Sequence, residues 1–307
     1  MAEGGVVLPG KPERALQHGF QPKRGGPPEF RYCTGEWTKA VVNCVIDDAP
    51  FAEGALRMCY RMQVATKDGS RHNLVAKVSK DPAEDRNTYF RDVQAQMCAK
   101  LWAAEYNSQN VPKQIDFVPA YVFELVDRPG RPLIGVEEFV EGVFMKHNNN
   151  VGGTVGDTER ATPNAFSHFT WEASHGSILV CDIQGVDDFY TDPQIHTVSG
   201  KGFGRGNLGQ AGVTAFLTRH RCTQVCEFLG LPRTSKTSGT WDEDLPNSRA
   251  AQTTPVAKQR PAAQQDQTDM ALVGMAVKLS VSDSNAPPSS PAGFPRGGGG
   301  GGGGFWK

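Results

Sequence analysis

The chain of 307 residues carries 32 basic and 33 acidic side chains, and this balance gives no general attraction to nucleic acid or to an anionic membrane. No apolar run reaches the roughly 18 residues of a membrane helix, and the amino terminus lacks the basic and apolar segments of a secretory signal. The cysteines are odd in number and scattered among apolar residues, which indicates reduced thiols. We therefore expect a cytoplasmic protein.

Composition divides the chain into three parts. Residues 1–29 are rich in Gly, Pro and charge, which predicts a disordered leader. Residues 233–307 are rich in Ser, Pro, Gln and Gly, and they contain too little apolar surface to offset the entropy of ordering, so we predict a disordered tail. The apolar patch MALVGMAVKLSV in this tail could be a docking segment or an edge strand, but Gly274 interrupts it and we expect no stable structure of its own. The folded domain is predicted over residues 30–232.

Three apolar segments near the start of this domain predict an antiparallel sheet. They are KAVVNCVI, ALRMCYRMQVA and HNLVAKV, and the intervening DDAPFAEG and TKDGS have the Gly, Pro and Asp content of turns. Lys77 lies inside the last of these strands, where an unpaired ammonium would be costly. Its charge must therefore meet an acid, for which Asp92 in the next segment is the candidate.

The rest of the domain predicts a mixture of helices and strands. Pro82–Asn107 places Phe90, Val93, Met97 and Leu101 at helical spacing and has acidic residues in its first turn. Strands are expected at AYVFELV and LIGVEEFV, and a helix is expected at AFSHFTWEAS. A final helix is predicted from about Gln210 to Leu229.

Carboxylates and amides cluster at the end of one apolar strand. The segment SILVCDI ends at Asp182, and Gln184 and Asp192 follow within a loop that also holds Asp187 and Asp188. Hard oxygen ligands of this kind suit Mg²⁺, which leaves its other positions to water and phosphate. Phosphoryl transfer needs such a metal opposite a cation on the nucleotide phosphates, and Lys77 could supply that cation.

A second set of ligands surrounds this strand in the sequence. His168 precedes the strand, and His220, Cys222 and Cys226 follow it in HRCTQVC. Imidazoles and thiolates in this number suit a structural zinc without an open coordination position. A zinc-dependent hydrolase is disfavoured for the same reason, because four protein ligands leave no place for the attacking water.

Several long motifs, in the same order, resemble the α-kinase family of atypical protein kinases. The similarity extends over about residues 30–232 and is strongest to the branch of elongation factor 2 kinase and the myosin heavy chain kinases. The motifs are RYCTGEW, YFRDVQAQMCAKLWAAEYN, DRPGRPL, VEEFVEGVFMKHNNN, FSHFTWEASHGSILVCDIQGVDDFYTDPQIHT, GFGRGNLGQAG and RHRCTQVCEFLGL. The resemblance implies an α+β, two-lobed, protein-kinase-like fold of the α-kinase type, with an amino-terminal lobe over about 30–136 and a zinc-stabilised carboxy-terminal lobe over about 137–232.

The resemblance also implies roles for individual residues. It makes Asp182 the catalytic aspartate near the substrate hydroxyl, and it gives Gln184 and Asp192 to Mg²⁺. The residues implied to contact ATP are Arg57, Lys77, Glu137 at the hinge and Lys146. The implied zinc ligands are His168, His220, Cys222 and Cys226, and the glycines implied to shape a loop near the protein substrate are Gly206, Gly209 and Gly212.

The expected activity is transfer of the γ-phosphoryl group of Mg-ATP to Ser or Thr of a protein substrate. Elongation factor 2 and a helical, myosin-tail-like protein are the candidate substrates. The glycine-rich nucleotide loop of ordinary protein kinases is absent before Lys77, and HRD and DFG are absent as well, as expected of an α-kinase. The closely spaced glycines of FGRGNLGQAG follow no strand of a βαβ unit, so a dinucleotide-binding site is disfavoured. A basic amphipathic helix for calmodulin is not evident before residue 30, so calmodulin is not supported as a partner. The alternative is a catalytically silent pseudokinase that binds nucleotide and regulates a partner.

Overall fold

The computed structural model describes residues 7–23, 34–66, 69–153 and 160–234. Its strands are β1 Glu13–Pro22, β2 Gly35–Glu53, β3 Arg57–Ala65, β4 Arg71–Ser79, β5 Asp116–Phe117, β6 Ala120–Leu125, β7 Leu133–Glu138, β8 Phe144–Lys146, β9 Ile178–Cys181, β10 Gln184–Val186, β11 Phe189–Thr191 and β12 Gln194–Thr197. Its helices are α1 Asn87–Asn107, α2 Ala161–Ala173, α3 Gly209–Arg219 and α4 Gln224–Phe228. None of these helices combines the length and apolarity that a membrane crossing requires.

The amino-terminal part is a closed antiparallel barrel in the order β1-β2-β3-β4-β7-β6. Its interior is filled by small and apolar side chains from alternate strand positions, among them Met62, Ala76 and Phe123. The sequence predicted the strands β2, β3, β4, β6 and β7 correctly. It predicted a curved sheet, whereas closure into a barrel removes both exposed edges.

The strand that closes this barrel lies in the predicted leader. The prediction of disorder over residues 1–29 is therefore wrong for Glu13–Pro22, which pairs with β2 on one side and β6 on the other. This strand buries Ala15 and Phe20, but it begins with Glu13 and Arg14 and places Gln17 and His18 between the two buried residues, so it shows little apolar alternation. The amino-terminal lobe consequently begins at β1 and extends through β7, beyond the predicted limits of 30 and 136.

Helix α1 connects the barrel to the carboxy-terminal part. It begins at Asn87 rather than Pro82, because Asp85 accepts a hydrogen bond from the Asn87 backbone N–H at 3.0 Å just before the helix. Its first turn contains no acidic residue, contrary to the prediction. Trp102 and Tyr106 are fully buried against residues of both parts, including Phe166 and Ile178. One core cluster therefore contains residues of both parts, in addition to the core inside the barrel.

The carboxy-terminal part contains two small sheets. A four-stranded sheet has the order β5-β11-β10-β8, and β9 pairs with β12. The predicted final helix is interrupted: α3 ends at Arg219, α4 begins at Gln224, and the segment between them carries His220 and Cys222. The predicted turn DDAPFAEG also differs, since β2 continues to Glu53 through shifts in register on either side of Pro50. The predictions for the tail beyond residue 234, including the patch at 270–281, lie outside the described residues.

Candidate active site and cysteine–histidine cluster

Lys77, on the outer face of β4, is the centre of one charge cluster. Its Nζ lies 2.7 Å from Glu137 Oε1 and 2.6 Å from Asp192 Oδ2. Burial by itself would lower the pKa of Lys77, but the carboxylates of Asp192 and Glu137 outweigh it and raise the pKa above its usual value. Lys77 is therefore charged at neutral pH and held by two acids from different parts of the chain.

These contacts correct two predictions. Asp92 was the candidate partner of Lys77, but its Oδ2 lies 2.8 Å from Arg57 Nη2 instead. Glu137 was placed at the hinge beside the adenine, but its buried carboxylate faces Lys77. Sequence spacing could not reveal this, because Glu137 and Lys77 come together through the pairing of β4 with β7.

Arg57 lies at the start of β3, close to Lys77 on the same side of the barrel. Its guanidinium bonds Glu84 and Asp92 and lies over the ring of Tyr89, 4.6 Å from the centroid. Arg57, Lys77, Tyr89 and Asp92 line one pocket with Asp192. The structure therefore places Arg57 beside Lys77, and its contact with ATP stays a prediction.

Asp182 is the centre of a second charge cluster, at the turn between β9 and β10. Its Oδ1 lies 2.7 Å from Lys146 Nζ, and its Oδ2 accepts a hydrogen bond from Gln184 Nε2 at 3.1 Å. Asp182 and Asp192 have φ angles of 60° and 49°, the left-handed region that non-glycine residues seldom adopt. Such backbone conformations are often found at functional sites.

One row of side chains across the four-stranded sheet joins the two charge clusters. Lys146 pairs with Gln184 and Gln184 pairs with Thr191, so these three side chains lie side by side on one face. The Thr191 hydroxyl donates to Glu137, and Lys77 Nζ lies 3.3 Å from it. The structure therefore brings Lys77, Asp182, Gln184 and Asp192 close together, and their roles stay predictions.

Sequence reasoning missed three contributors to this site. Thr191 joins the row above, and Gln96 of α1 accepts a hydrogen bond from the Asp192 backbone N–H at 3.0 Å. The third contributor is an apolar row formed by Phe144, Val186 and Phe189, which pair across the sheet. Each lies two positions from a member of the polar row on its own strand, so the two rows share one face. Phe144 is 57% exposed. The two-residue spacing from Gln184 to Val186 could have indicated this apolar row, because residues two apart on a strand lie on the same face.

His168, His220, Cys222 and Cys226 form a separate cluster between α2 and α4. One ligand atom from each side chain lies within 4.8 Å of all the others. Cys222 Sγ is 3.9 Å from His168 Nδ1, and Cys226 Sγ is 3.6 Å from His220 Nε2. Tetrahedral zinc with ordinary bond lengths would place a nitrogen and a sulfur about 3.6 Å apart. The four predicted ligands therefore fit zinc in type, number and separation.

Burial governs the protonation of this cluster. It lowers the pKa of His168 to about 4 and, with help from the neighbouring His168, that of His220 to about 3. It raises the pKa of the Cys226 thiol to about 11. Neutral imidazoles are ready to bind a metal, while the thiol needs the positive charge of the metal to ionise.

The three glycines predicted for a substrate loop do not lie in one loop. Gly206 ends a single 3₁₀ turn, and Gly209 and Gly212 belong to α3. A Cβ atom at Gly212 would lie 2.6–2.8 Å from atoms of the His196 ring. Close packing of α3 against β12 therefore explains Gly212 without a substrate.

Comparisons with known proteins agree with this geometry. The sequence profile of the Alpha-kinase family matches residues 52–226. The chain is 44% identical over 225 residues to human eukaryotic elongation factor 2 kinase, covering 71% of this chain and 30% of that protein. It is 48% identical over 199 residues to myosin heavy chain kinase B of Dictyostelium discoideum, covering 64% of this chain and 27% of that protein. The chain thus spans less than a third of these relatives.

Solved structures give the same answer for the fold. The α-kinase domain of myosin heavy chain kinase A in complex with ADP matches with a TM-score of 0.64 and 34% identity. That match covers 74% of this chain and 100% of the solved domain. The fold is therefore shared with a protein whose ADP complex has been solved.

Proposed function

The chain belongs to the α-kinase family, and we propose that it is an ATP-dependent serine/threonine protein kinase that uses the site around Lys77 and Asp182. Bound Mg-ATP would supply the γ-phosphoryl group, and the metal would neutralise charge on its oxygens. Lys77 and Arg57 would hold the phosphates. Gln184 and Asp192 would hold Mg²⁺, and Asp182 would orient or deprotonate the acceptor hydroxyl.

The observation that carries this proposal is the row Lys146–Gln184–Thr191, which links the Lys77 and Asp182 charge clusters. Each lysine beside this row or in it, Lys77 and Lys146, is held by a carboxylate that could instead bind a metal ion. Lys77 now contacts Asp192, and Lys146 contacts Asp182. On nucleotide binding, Lys77 and Lys146 would exchange these acids for phosphate or ribose oxygens, which frees both aspartates for the metal and the hydroxyl.

The apolar row Phe144–Val186–Phe189 supports the same proposal. It lies two residues from the polar row on the same face and follows the segment that leaves β7. Ligand pockets are lined mainly by apolar and aromatic side chains, so this row offers a surface on which an adenine ring could pack. We therefore assign the row to the base of the nucleotide.

A structural zinc is proposed for His168, His220, Cys222 and Cys226. The fit rests on their separations and on the absence of an open ligand position. The ion would hold the segment between α3 and α4 against α2, a segment that has no regular secondary structure of its own. Its contribution would be to folding rather than to phosphoryl transfer.

The substrate is proposed to be a protein with a Ser or Thr acceptor. Elongation factor 2 and a myosin-tail-like helical protein are the candidates. The names of two relatives, eukaryotic elongation factor 2 kinase and myosin heavy chain kinase B, point to these substrates. A cytoplasmic location, with neither nucleic acid nor membrane as a partner, stays a prediction from composition. The second candidate function is a pseudokinase, in which the same pocket binds nucleotide without turnover.

The test is transfer of labelled γ-phosphate from Mg-ATP to elongation factor 2, a myosin-tail peptide and the chain itself. Asp182→Ala is expected to reduce the rate by about 10²–10⁴-fold and to leave nucleotide binding largely intact. Asp187→Asn is the matched control, because Asp187 also has a positive φ but lies exposed in the turn between β10 and β11.

Each outcome has one meaning. Transfer that depends on Asp182 and not on Asp187 supports the kinase. Normal transfer by Asp182→Ala contradicts the assigned role of this residue. Nucleotide binding without transfer to any of the three acceptors, in the unmutated protein, favours the pseudokinase.

A further inference from the structure

His168 is held between two groups of opposite character. Its Nδ1 faces Cys222 Sγ at 3.9 Å, and its Nε2 faces Glu172 Oε1 at 3.5 Å. The imidazole is fully buried, and among the described residues no hydrogen bond satisfies Nε2. The Glu172 carboxylate is therefore the acceptor within reach of a proton on that nitrogen.

The spacing of the two residues on α2 produces this contact. Glu172 follows His168 by four positions, and side chains four apart lie on the same face of a helix. A helical side chain also leans toward the amino terminus, which directs Glu172 back over the His168 ring. The Glu172 side chain is 32% exposed, so it reaches the buried imidazole from the protein surface.

We propose that Glu172 is a positioning residue of the zinc site, which accepts a hydrogen bond from His168 Nε2–H and thereby presents Nδ1 to the metal. The inference rests on the zinc ion of the proposed function. A neutral imidazole carries its proton on one nitrogen, so a fixed acceptor at Nε2 leaves the lone pair on Nδ1, beside Cys222. The carboxylate also makes the ring a stronger ligand.

The second histidine of the cluster is held differently. The His220 ring stacks on Phe216 at an interplanar angle of 15°, and its Nε2 faces Cys226 Sγ at 3.6 Å. Among the described ion pairs, His168 has a carboxylate partner and His220 has none. Removal of Glu172 should therefore release one ligand of the set while the other three keep their surroundings.

The experiment measures zinc affinity of the whole chain by competition with a chelator. Glu172→Ala is expected to bind zinc about 10–100-fold more weakly, the usual loss when a histidine ligand loses its outer partner. Glu172→Gln keeps an oxygen acceptor without its charge, so its affinity should fall between those of Glu172→Ala and the unmutated protein. Glu227→Ala is the matched control, since Glu227 lies near both thiols but is exposed on α4.

A second readout excludes a general effect on helix α2. With Co²⁺ in place of zinc, the sulfur-to-metal absorption bands should change in Glu172→Ala and stay unchanged in Glu227→Ala. Equal affinities for Glu172→Ala and the unmutated protein would overturn the inference while leaving the zinc site intact. Failure of the unmutated protein to bind zinc would overturn both. If Glu172→Ala does not fold, the test passes to Glu172→Met, which keeps a long side chain without an oxygen acceptor, and unmutated affinity there overturns the inference.

Discussion

The pocket around Lys77, which we call the cleft, and the cysteine–histidine cluster accommodate buried polar groups in opposite ways. In the cleft, the Lys77 ammonium is paired with the carboxyl groups of Glu137 and Asp192. In the cluster, burial keeps the imidazoles neutral and the Cys226 thiol protonated until a metal binds. The partners in an ion pair can be replaced by phosphate or Mg²⁺ when a nucleotide binds. A metal site with four protein ligands has no open position for a substrate. Changes in the cleft should therefore affect turnover, and changes in the cluster should affect folding.

The largest expected effect is a loss of stability when the cysteine–histidine cluster loses a ligand. Cys226→Ala removes a ligand, and structural zinc contributes on the order of 10 kcal/mol to folding of small zinc peptides. A domain's whole stability is about 5–15 kcal/mol, so most of this protein should be insoluble or unfolded at room temperature. Chelation of the unmutated protein should lower its melting temperature, and chelation of any soluble Cys226→Ala should not.

The control for this prediction is Cys98→Ala. Cys98 is fully buried on α1 and lies outside the cluster. Its loss should cost stability through a small cavity, but the response to chelator should match that of the unmutated protein. A melting curve of Cys226→Ala equal to that of the unmutated protein would argue against zinc in this cluster.

The next effect compares two buried lysines. Lys77 and Lys100 have side chains that are 12% and 11% exposed, and Lys100 Nζ lies 2.8 Å from Asp116 Oδ2 outside the cleft. Either change to Ala leaves an acid without its partner and should cost about 2–4 kcal/mol, less where the acid can reach water. Lys77→Ala should in addition lower kcat/KM by about 10²–10³-fold, because it removes a phosphate-binding group.

Denaturant unfolding and kinase assays on both variants measure the difference. Lys100→Ala should unfold at lower denaturant but phosphorylate at the unmutated rate per folded molecule. If Lys100→Ala loses as much activity as Lys77→Ala, the loss reflects damage to the fold, and the distinction between the two lysines fails.

The sequence predicted best what depends on local pattern. Apolar alternation located β2 to β4, β6 and β7, and the apolar strand before Asp182 located the turn that presents it. The four cluster ligands were found from residue type and spacing, and the structure brings them within 4.8 Å of one another. These features need no knowledge of how distant segments pair.

The errors fall where distant pairing decides. β1 is too polar to be recognised as a strand from its own sequence. It is identified only by its pairing with β2 on one side and β6 on the other. The sequence prediction did not pair Glu137 with Lys77, because local composition does not reveal that β4 pairs with β7. The break between α3 and α4 follows from the cluster, which holds His220 and Cys222 in a segment that is not helical.

The smallest expected effect tests a glycine that sequence assigned to the substrate. Gly212→Ala introduces a methyl group against the His196 ring, and that ring is held by the Asn150 carbonyl at 2.6 Å and the Leu208 N–H at 3.1 Å. Because the ring cannot move without losing these bonds, overpacking should cost about 1–3 kcal/mol, against a gain of about 1 kcal/mol in helix propensity. The net result should be a lower denaturant midpoint.

Kinetics then distinguish packing from substrate contact. If Gly212 acts through packing, the KM for the protein substrate should equal that of the unmutated protein once the folded fraction is matched. Gln210→Ala, an exposed change on the same turn of α3, should alter neither quantity. A raised KM together with unmutated stability would contradict the packing explanation and would support contact of Gly212 with the protein substrate. Part of α3 would then bind substrate and not merely pack against the core.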